Sequence, residues 1–266
     1  MANDARQLIE AMDEVWKSTL DAVADLTDDE WAAPSPCPGW TVKDVASHMI
    51  WGTLIQRGEE QPAVEVPDDL PHVRDDFGRY MEQAIVERAD RSGDQVRAEL
   101  ASSATATIDR HRSLSDDELD VEQPGPLEMS VTLRKFLPIQ ILDQWMHEQD
   151  IRQALSRPGH LEGLAAEVTR DRFVHGWTRV IPTKVAVDGP TPVAVHITGP
   201  SARSFGFDLA EAGPPVGVPD QPAVTITLPF ADFVSLAGGR DVPRTIEIGG
   251  DAELGEQIIA AATFTP

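Results

Sequence analysis

The residues best suited to chemistry lie in two separate segments of the chain. His48 lies within the segment Val45–Met49, and the second segment runs from Asp143 to Asp150 with His147 inside it. Four residues turn a helix by about 400°, so Asp143 and His147 lie almost on one line and Asp150 borders the same face. Imidazole nitrogens and carboxylate oxygens are ligands of divalent metals, so this spacing predicts a metal site.

The complete ligand set depends on how the two segments fold together. If the helices that carry them are antiparallel neighbours, His48 meets Asp143 and His147 as two imidazoles and one carboxylate. Such a set leaves coordination positions open, which is typical of a catalytic rather than a structural metal site. The alternative is that His48 is a hydrogen-bonded core histidine and Asp143 an ordinary surface carboxylate.

The elements that must position these residues are helices in the first part of the chain. Apolar residues that recur every three or four positions, with caps at Thr27 and Thr41 and a stop at Gly58, predict helices at residues 5–26, 28–31, 42–58, 73–92, 96–114 and 132–155. Pro138 predicts either a kink or a delayed start in the last of them. Residues 115–131 are acidic and contain Pro-Gly-Pro, so we predict a connection there.

The pattern changes in the last hundred residues. A further helix is predicted at residues 161–180, and short β-branched or aromatic runs between Gly and Pro predict strands at 184–187, 193–198, 204–209, 224–228 and 244–248. Residues 229–237 and 251–262 are predicted to be helical. The predicted fold class is therefore mixed, with an all-helical bundle at residues 1–160 and a small α+β domain at residues 161–266.

Charge and composition limit the classes of partner. Acidic residues outnumber basic ones 45 to 22, which gives a formal charge of −23 over 266 residues. A surface this negative repels phosphate, so we expect neither nucleic acid nor membrane as a partner. The single cysteine, Cys37, closes no internal disulfide, and the chain has no signal-peptide pattern and no run of about 18 apolar residues. We expect a cytoplasmic protein with a small-molecule substrate; the oligomeric state stays open.

Four segments resemble a known family. Residues 34–48, PSPCPGWTVKDVASH, closely resemble the signature of the mycothiol-dependent maleylpyruvate isomerase family, a branch of the DinB-like four-helix bundles. The segment from Asp143 to Asp150 is similar to that family's acid-x-x-x-His-x-x-Asp helix. Residues 230–240 and 249–254 resemble, more loosely, the sterol carrier protein-like domain that family members typically add. The resemblance thus covers nearly the whole chain and implies a DinB-like bundle followed by a sterol carrier protein-like domain.

The resemblance also implies a metal and a thiol cofactor. Its metal ligands correspond to His48, Asp143 and His147, although the family more often has Glu where this chain has the shorter Asp143. The implied metal is zinc, while iron, nickel or cobalt would also suit these ligands. The implied cofactor is mycothiol or another low-molecular-weight thiol, which the metal would activate for addition to the cis double bond of an unsaturated keto acid. The alternatives are a mycothiol S-transferase acting on electrophiles and a non-catalytic metal- or lipid-binding protein.

Four further residues have competing interpretations. Trp51 lies one turn after His48, so it lines the wall of a cofactor pocket or packs the bundle. The resemblance suggests an arginine that binds a substrate carboxylate, for which Arg240 is the best candidate; the alternative is a solvated arginine. Cys37 has no histidine near it in sequence and is expected to be a small apolar residue. Trp40 is expected to pack the bundle.

Overall fold

Residues 4–59, 62–125 and 129–264 are described by the structure, a computed structural model. The contacts between residues divide the chain into two units, Met1–His160 and Leu161–Pro266. The first unit is helical and the second combines helices with a sheet, so the predicted fold class is confirmed. No helix in the described ranges combines the length and the apolar character needed to cross a bilayer.

Four long helices form the bundle of the first unit. They are α1 (Ala5–Ala22), α3 (Val42–Arg57), α5 (Gly93–Ser113) and α6 (Leu133–Ala154), with the shorter α2 (Asp28–Trp31) and α4 (Asp76–Glu87) between them. Helices α1 and α3 each contact both α5 and α6, so the four helices close a ring. The side chain of Gln56 donates to Gln140 while His48 lies beside His147, so α3 and α6 run antiparallel.

Local signals fix the ends of α3, the helix that carries His48. The Thr41 hydroxyl accepts from the backbone N–H of Asp44, and the Asp44 carboxylate accepts in return from the N–H of Thr41. At the other end Gly58 adopts a left-handed conformation with φ of 66°. The cap at Thr41 and the end near Gly58 were predicted from the sequence, as was the capping box between Thr27 and Glu30 at α2.

Two predictions for the first unit need correction. The stretch predicted to be a simple connection contains a short 3-10 turn and an antiparallel hairpin of β1 (Glu122–Pro124) with β2 (Ser130–Thr132). Residues 126–128 of that prediction lie outside the described residues. Helix α6 begins at Leu133 and contains Pro138, so the delayed start is wrong. Pro138 is the sixth residue of the helix, past the first four N–H groups, so it removes one hydrogen bond of the first turns without ending the helix.

The second unit packs helices against a five-stranded sheet. Its strands follow the order β5 (Glu211–Val216), β4 (Arg203–Asp208), β3 (Pro192–Thr198), β6 (Val224–Pro229), β7 (Glu247–Gly250). Only β3 and β6 pair in parallel among these described strands. The helices are α7 (Leu164–Lys184), α8 (Phe230–Ala237) and α9 (Ala252–Ala261). Trp177 of α7 packs edge-on against Phe233 of α8, with ring centroids 4.8 Å apart in the core.

Three strand predictions for this unit differ from the structure. Residues 184–187 form no strand, because α7 continues through Pro182 to Lys184. Strand β7 lies a few residues later than the predicted 244–248. Strand β5 was not predicted because its sequence, EAGPPV, carries two prolines. It lies at the edge of the sheet, where a residue without an N–H donor is tolerated.

Candidate metal centre

Helices α3 and α6 bring His48, Asp143 and His147 together. The His48 Nε2 atom lies 3.7 Å from Asp143 Oδ2, and His147 Nε2 lies 3.6 Å from Asp143 Oδ1. The two imidazole rings meet edge to face with centroids 4.5 Å apart. Both histidines are buried, whereas the Asp143 side chain is 33% exposed. The three potential ligand atoms all lie within 4.8 Å of one another.

The donor set fits a divalent metal. Two bonds of about 2.1 Å that meet at a tetrahedral metal separate their ligand atoms by about 3.4 Å. The separations of 3.6 and 3.7 Å are close to that value and too long for hydrogen bonds. Moreover, neither Nδ1 nor Nε2 of the buried His48 has a hydrogen-bond partner. A buried unpartnered nitrogen is costly, and coordination would remove that cost for the nitrogen that binds the metal.

Electrostatics keep the second histidine in the state that coordination needs. Burial lowers the pKa of His147, and the neighbouring His48 lowers it further, against the opposing effects of Asp150 and Asp143. A ring with a lowered pKa is neutral at neutral pH. Neutral imidazole is the form of histidine that binds metals.

A buried carboxylate holds the other edge of His147. Asp150 Oδ2 lies 3.1 Å from His147 Nδ1, and Asp150 is 2% exposed. When Nδ1 carries the proton and donates to this oxygen, the Nε2 lone pair faces Asp143. Carboxylates commonly orient metal-binding histidines in this way. The sequence predicted only that Asp150 borders the same face.

The turn before α3 adds two residues that the sequence interpretation assigned to packing alone. The indole ring of Trp40 lies 5.2 Å from the His48 ring and 6.1 Å from the His147 ring, measured between centroids. Its Nε1 donates to the buried Glu82 at 2.9 Å. The Cys37 thiol donates to Asp150 Oδ2 at 3.1 Å, so the expectation of a merely apolar cysteine is wrong. The sequence signal that could have placed both residues at the site is their position in the segment 34–48, which resembles the family signature.

Trp51 and Arg240 lie in different surroundings. Trp51 is fully buried in a cluster with Ile55, Ala84 and Phe136, which favours the packing interpretation over the cofactor wall. Arg240 belongs to the second unit and is 9% exposed, so it is not a solvated arginine. Its Nη1 donates to the carbonyl oxygen of Gly238 at 2.5 Å. Binding of a carboxylate by Arg240 stays a prediction.

Relatives of the chain point to one family. Over 252 residues it is 25% identical to an uncharacterized protein of Mycobacterium tuberculosis, a match that covers 88% of this chain and 86% of that protein. Its fold is similar to a crystal structure of the mycothiol-dependent maleylpyruvate isomerase, with a TM-score of 0.57 and 17% identity, and to that of a mutant of the same enzyme, with a TM-score of 0.58 and 18% identity. Both matches cover 92% of this chain and 93% of the other.

The match to a family model extends over all residues of the candidate metal centre. Residues 12–152 match the model described as the mycothiol maleylpyruvate isomerase N-terminal domain. This range contains α3 and most of α6, with all of Asp143 to Asp150, and covers more than half of the 266 residues. The chain therefore belongs to the mycothiol maleylpyruvate isomerase family.

Proposed function

We propose that this chain is a metalloenzyme that activates a low-molecular-weight thiol for attack on an electrophilic small molecule. The proposed ligands are His48, Asp143 and His147, and the proposed metal is zinc, which suits these ligand types. The proposed thiol is mycothiol, because the matched family model is described by that thiol. The proposed reaction is the cis–trans isomerisation of an unsaturated keto acid of the maleylpyruvate type. The observation that carries the proposal is that one ligand atom each of His48, Asp143 and His147 lies within 4.8 Å of the other two, while the buried nitrogens of His48 lack hydrogen-bond partners.

The metal would stabilise the thiolate, and side chains of the chain would orient and shield the metal ligands. A bound divalent cation supplies the positive charge that stabilises a thiolate, whereas a free thiol, with a pKa of about 8.5, is mostly protonated at neutral pH. Asp150 holds the proton of His147 on Nδ1 and thereby directs Nε2 toward Asp143. Trp40 covers the two imidazole rings and excludes water from them. The partly exposed Asp143 marks the side from which small molecules approach.

The substrate proposal extends to Arg240. A dicarboxylate approaches a chain with a net charge of −23 against repulsion, so its binding needs a local cation. We keep Arg240 as the proposed carboxylate-binding residue because a guanidinium grips a carboxylate through two parallel hydrogen bonds. Its low exposure supports a role beyond a solvated surface charge.

Metal content is the first test of the proposal. Elemental analysis of the purified chain is expected to find about one divalent metal per chain. The double variant with His48→Ala and His147→Ala is expected to lose that metal while its circular dichroism keeps the helical signal. His196→Ala, in strand β3 of the other unit, is the matched control that keeps the metal. Metal retained by the double variant would show that the ligands are wrong.

Product analysis then separates the possible reactions. The chain is incubated with mycothiol and either maleylpyruvate, an epoxide or an alkyl halide. The proposal expects the trans isomer of the keto acid with full recovery of the thiol. Accumulation of a thiol conjugate would instead identify an S-transferase. Metal binding without turnover of any of these compounds would leave a non-catalytic binding protein.

A further inference from the structure

The turn that precedes α3 carries Cys37 into contact with the metal centre. The backbone N–H of Ser35 donates to the Trp40 carbonyl at 2.9 Å, and the N–H of Trp40 donates to the Cys37 carbonyl at 3.1 Å. Gly39 permits this turn because its φ is 84° and a Cβ there would lie 2.3 Å from the His72 ring. The Cys37 side chain is therefore held by a defined backbone rather than by a loose loop.

Cys37 and His147 share one acceptor atom. The Cys37 thiol donates to Asp150 Oδ2 at 3.1 Å, and His147 Nδ1 lies 3.1 Å from the same oxygen. The carboxylate is buried, with Asp150 at 2% exposure. Two donors from different segments of the chain approach this oxygen from two directions, so they hold its position better than one donor does.

We propose that Cys37 is a positioning residue of the metal centre, which acts through Asp150 to hold His147 with Nε2 directed at the metal. The thiol pins Asp150 Oδ2 where it accepts from His147 Nδ1, and this bond selects the tautomer whose Nε2 lone pair faces Asp143. The inference rests on the proposed function for its metal, but the hydrogen-bonded chain from Cys37 to His147 exists without it.

A metal at His147 Nε2 lies on the opposite edge of the ring from the Cys37 thiol. Cys37 Sγ lies 3.9 Å from His147 Nδ1, on the edge of the ring where Cys37, His147 and Asp150 form a second group of possible ligand atoms, whereas Asp143 lies at Nε2, on the other edge. One imidazole directs its two nitrogens away from each other, so a metal at Nε2 is remote from the Nδ1 edge. Cys37 therefore acts on the proton-bearing nitrogen and His48 lies beside the metal-binding one.

The tautomer of His147 in metal-free protein is the first readout. Long-range proton–nitrogen NMR spectra distinguish the Nδ1–H and Nε2–H forms of each histidine ring. The wild-type protein is expected to show His147 as the Nδ1–H form. Cys37→Ala is expected to reduce the fraction of that form, and Cys37→Ser, which restores a donor, is expected to recover most of it. An unchanged tautomer in Cys37→Ala would overturn the proposal.

Zinc affinity in a double-mutant cycle is the second readout. Cys37→Ala is expected to weaken zinc binding about two- to tenfold, the value of one modest hydrogen bond, and Asp150→Ala about 10- to 100-fold. In the Asp150→Ala background Cys37→Ala is expected to have almost no further effect, because the thiol has lost its acceptor. An equal loss in both backgrounds would overturn the proposal. Where Asp150→Ala fails to fold, the tautomer in Cys37→Ala and Cys37→Ser decides.

Cobalt substitution removes the competing interpretation. A cobalt-loaded protein with Cys37 as a ligand shows intense thiolate-to-cobalt charge-transfer absorption, and we expect none in the absence of added thiol. Its appearance would make Cys37 a ligand and overturn the positioning role. If the wild-type protein bound no metal while the tautomer changes persisted, the proposed function would fail and the positioning of His147 by Cys37 would stand.

Discussion

At the scale of single residues, the two buried ring nitrogens of His48 cost the fold stability. It is buried, and neither ring nitrogen has a hydrogen-bond partner in the described structure. We predict that His48→Leu stabilises the metal-free protein by about 1 kcal/mol or more, because it removes the unsatisfied polar atoms.

Denaturant unfolding tests this prediction in two conditions. With a chelator present, the free energy of unfolding of His48→Leu should exceed that of the wild-type protein. With excess zinc the order should reverse, because only the wild-type protein gains the free energy of metal binding. A variant less stable than wild type in both conditions would indicate that His48 is an ordinary core residue.

The residues that the sequence predicted are those related by a short spacing. Asp143 and His147 were predicted as a pair because one helical turn separates them, and His48 followed from the assumption of antiparallel neighbours. Cys37 was misjudged because its partner Asp150 lies 113 positions away. Periodicity along a helix carries no information about a contact that a turn makes with a distant helix.

At the scale of elements, the approach of α3 to α6 depends on Gly52. A Cβ at Gly52 would lie 2.2 Å from Gln144 Nε2, and this amide donates to Asp143 Oδ2 at 3.1 Å. We predict that Gly52→Ala displaces the Gln144 amide and weakens zinc binding about two- to tenfold, the value of the lost hydrogen bond.

Titration of zinc against a competing chelator measures this effect. Gly189→Ala is the matched control, since a Cβ at Gly189 meets nothing within 4 Å. The control should bind zinc as the wild-type protein does. If Gly52→Ala bound zinc as tightly as the wild-type protein, the hydrogen bond from Gln144 to Asp143 would not contribute to zinc binding.

The junction of α3 with α5 predicts a pH dependence of stability. His111 of α5 is buried, with Nε2 at 3.2 Å from the Gln56 carbonyl oxygen of α3. Burial, reinforced by Arg110 and Arg57 and opposed by the bond to Gln56, lowers the pKa of His111 to about 4. The ordinary value is 6.5, so unfolding takes up a proton between these values. The free energy of unfolding is therefore higher by about 3 kcal/mol above pH 6.5, and this extra stability is lost as the pH falls toward 4.

Replacement of His111 tests whether this histidine makes stability fall as the pH falls. In His111→Leu the free energy of unfolding should fall less steeply between pH 6.5 and pH 4 than in the wild-type protein. The difference in slope corresponds to about one proton fewer taken up on unfolding. Urea unfolding at a series of pH values gives both slopes. A variant slope as steep as that of wild type would mean that His111 is charged in the folded chain.

Elements were predictable from the sequence where local chemistry determines them. The capping box at Thr41 and the left-handed Gly58 marked both ends of α3. Strand β5 was missed because its prolines are compatible with a strand only at a sheet edge, and edge position is a property of the whole sheet. The error at residues 184–187 has the opposite origin, since α7 continues past a proline that usually ends a helix.

At the scale of the whole molecule, a net charge of −23 opposes the binding of an anionic substrate. We predict that Arg240→Lys raises KM for a dicarboxylate about tenfold, because lysine offers no paired hydrogen bonds. The exposed Arg179 gives a matched control, since Arg179→Lys keeps the same net charge in the same unit. Steady-state kinetics with mycothiol in excess measure the effect, and an unchanged KM in Arg240→Lys would end its assignment.

X-ray absorption at the zinc edge identifies the atoms bound to the metal and so tests whether His48, Asp143 and His147 hold a zinc ion that binds the thiol. Without added thiol we expect nitrogen and oxygen neighbours at about 2.0–2.2 Å and no sulfur. Addition of mycothiol should bring one sulfur neighbour at about 2.3 Å, while Cys37→Ala should give the same two spectra. Sulfur at the metal before the thiol is added would show that a protein sulfur is a ligand, and a spectrum that the thiol leaves unchanged would show that the metal does not bind the thiol.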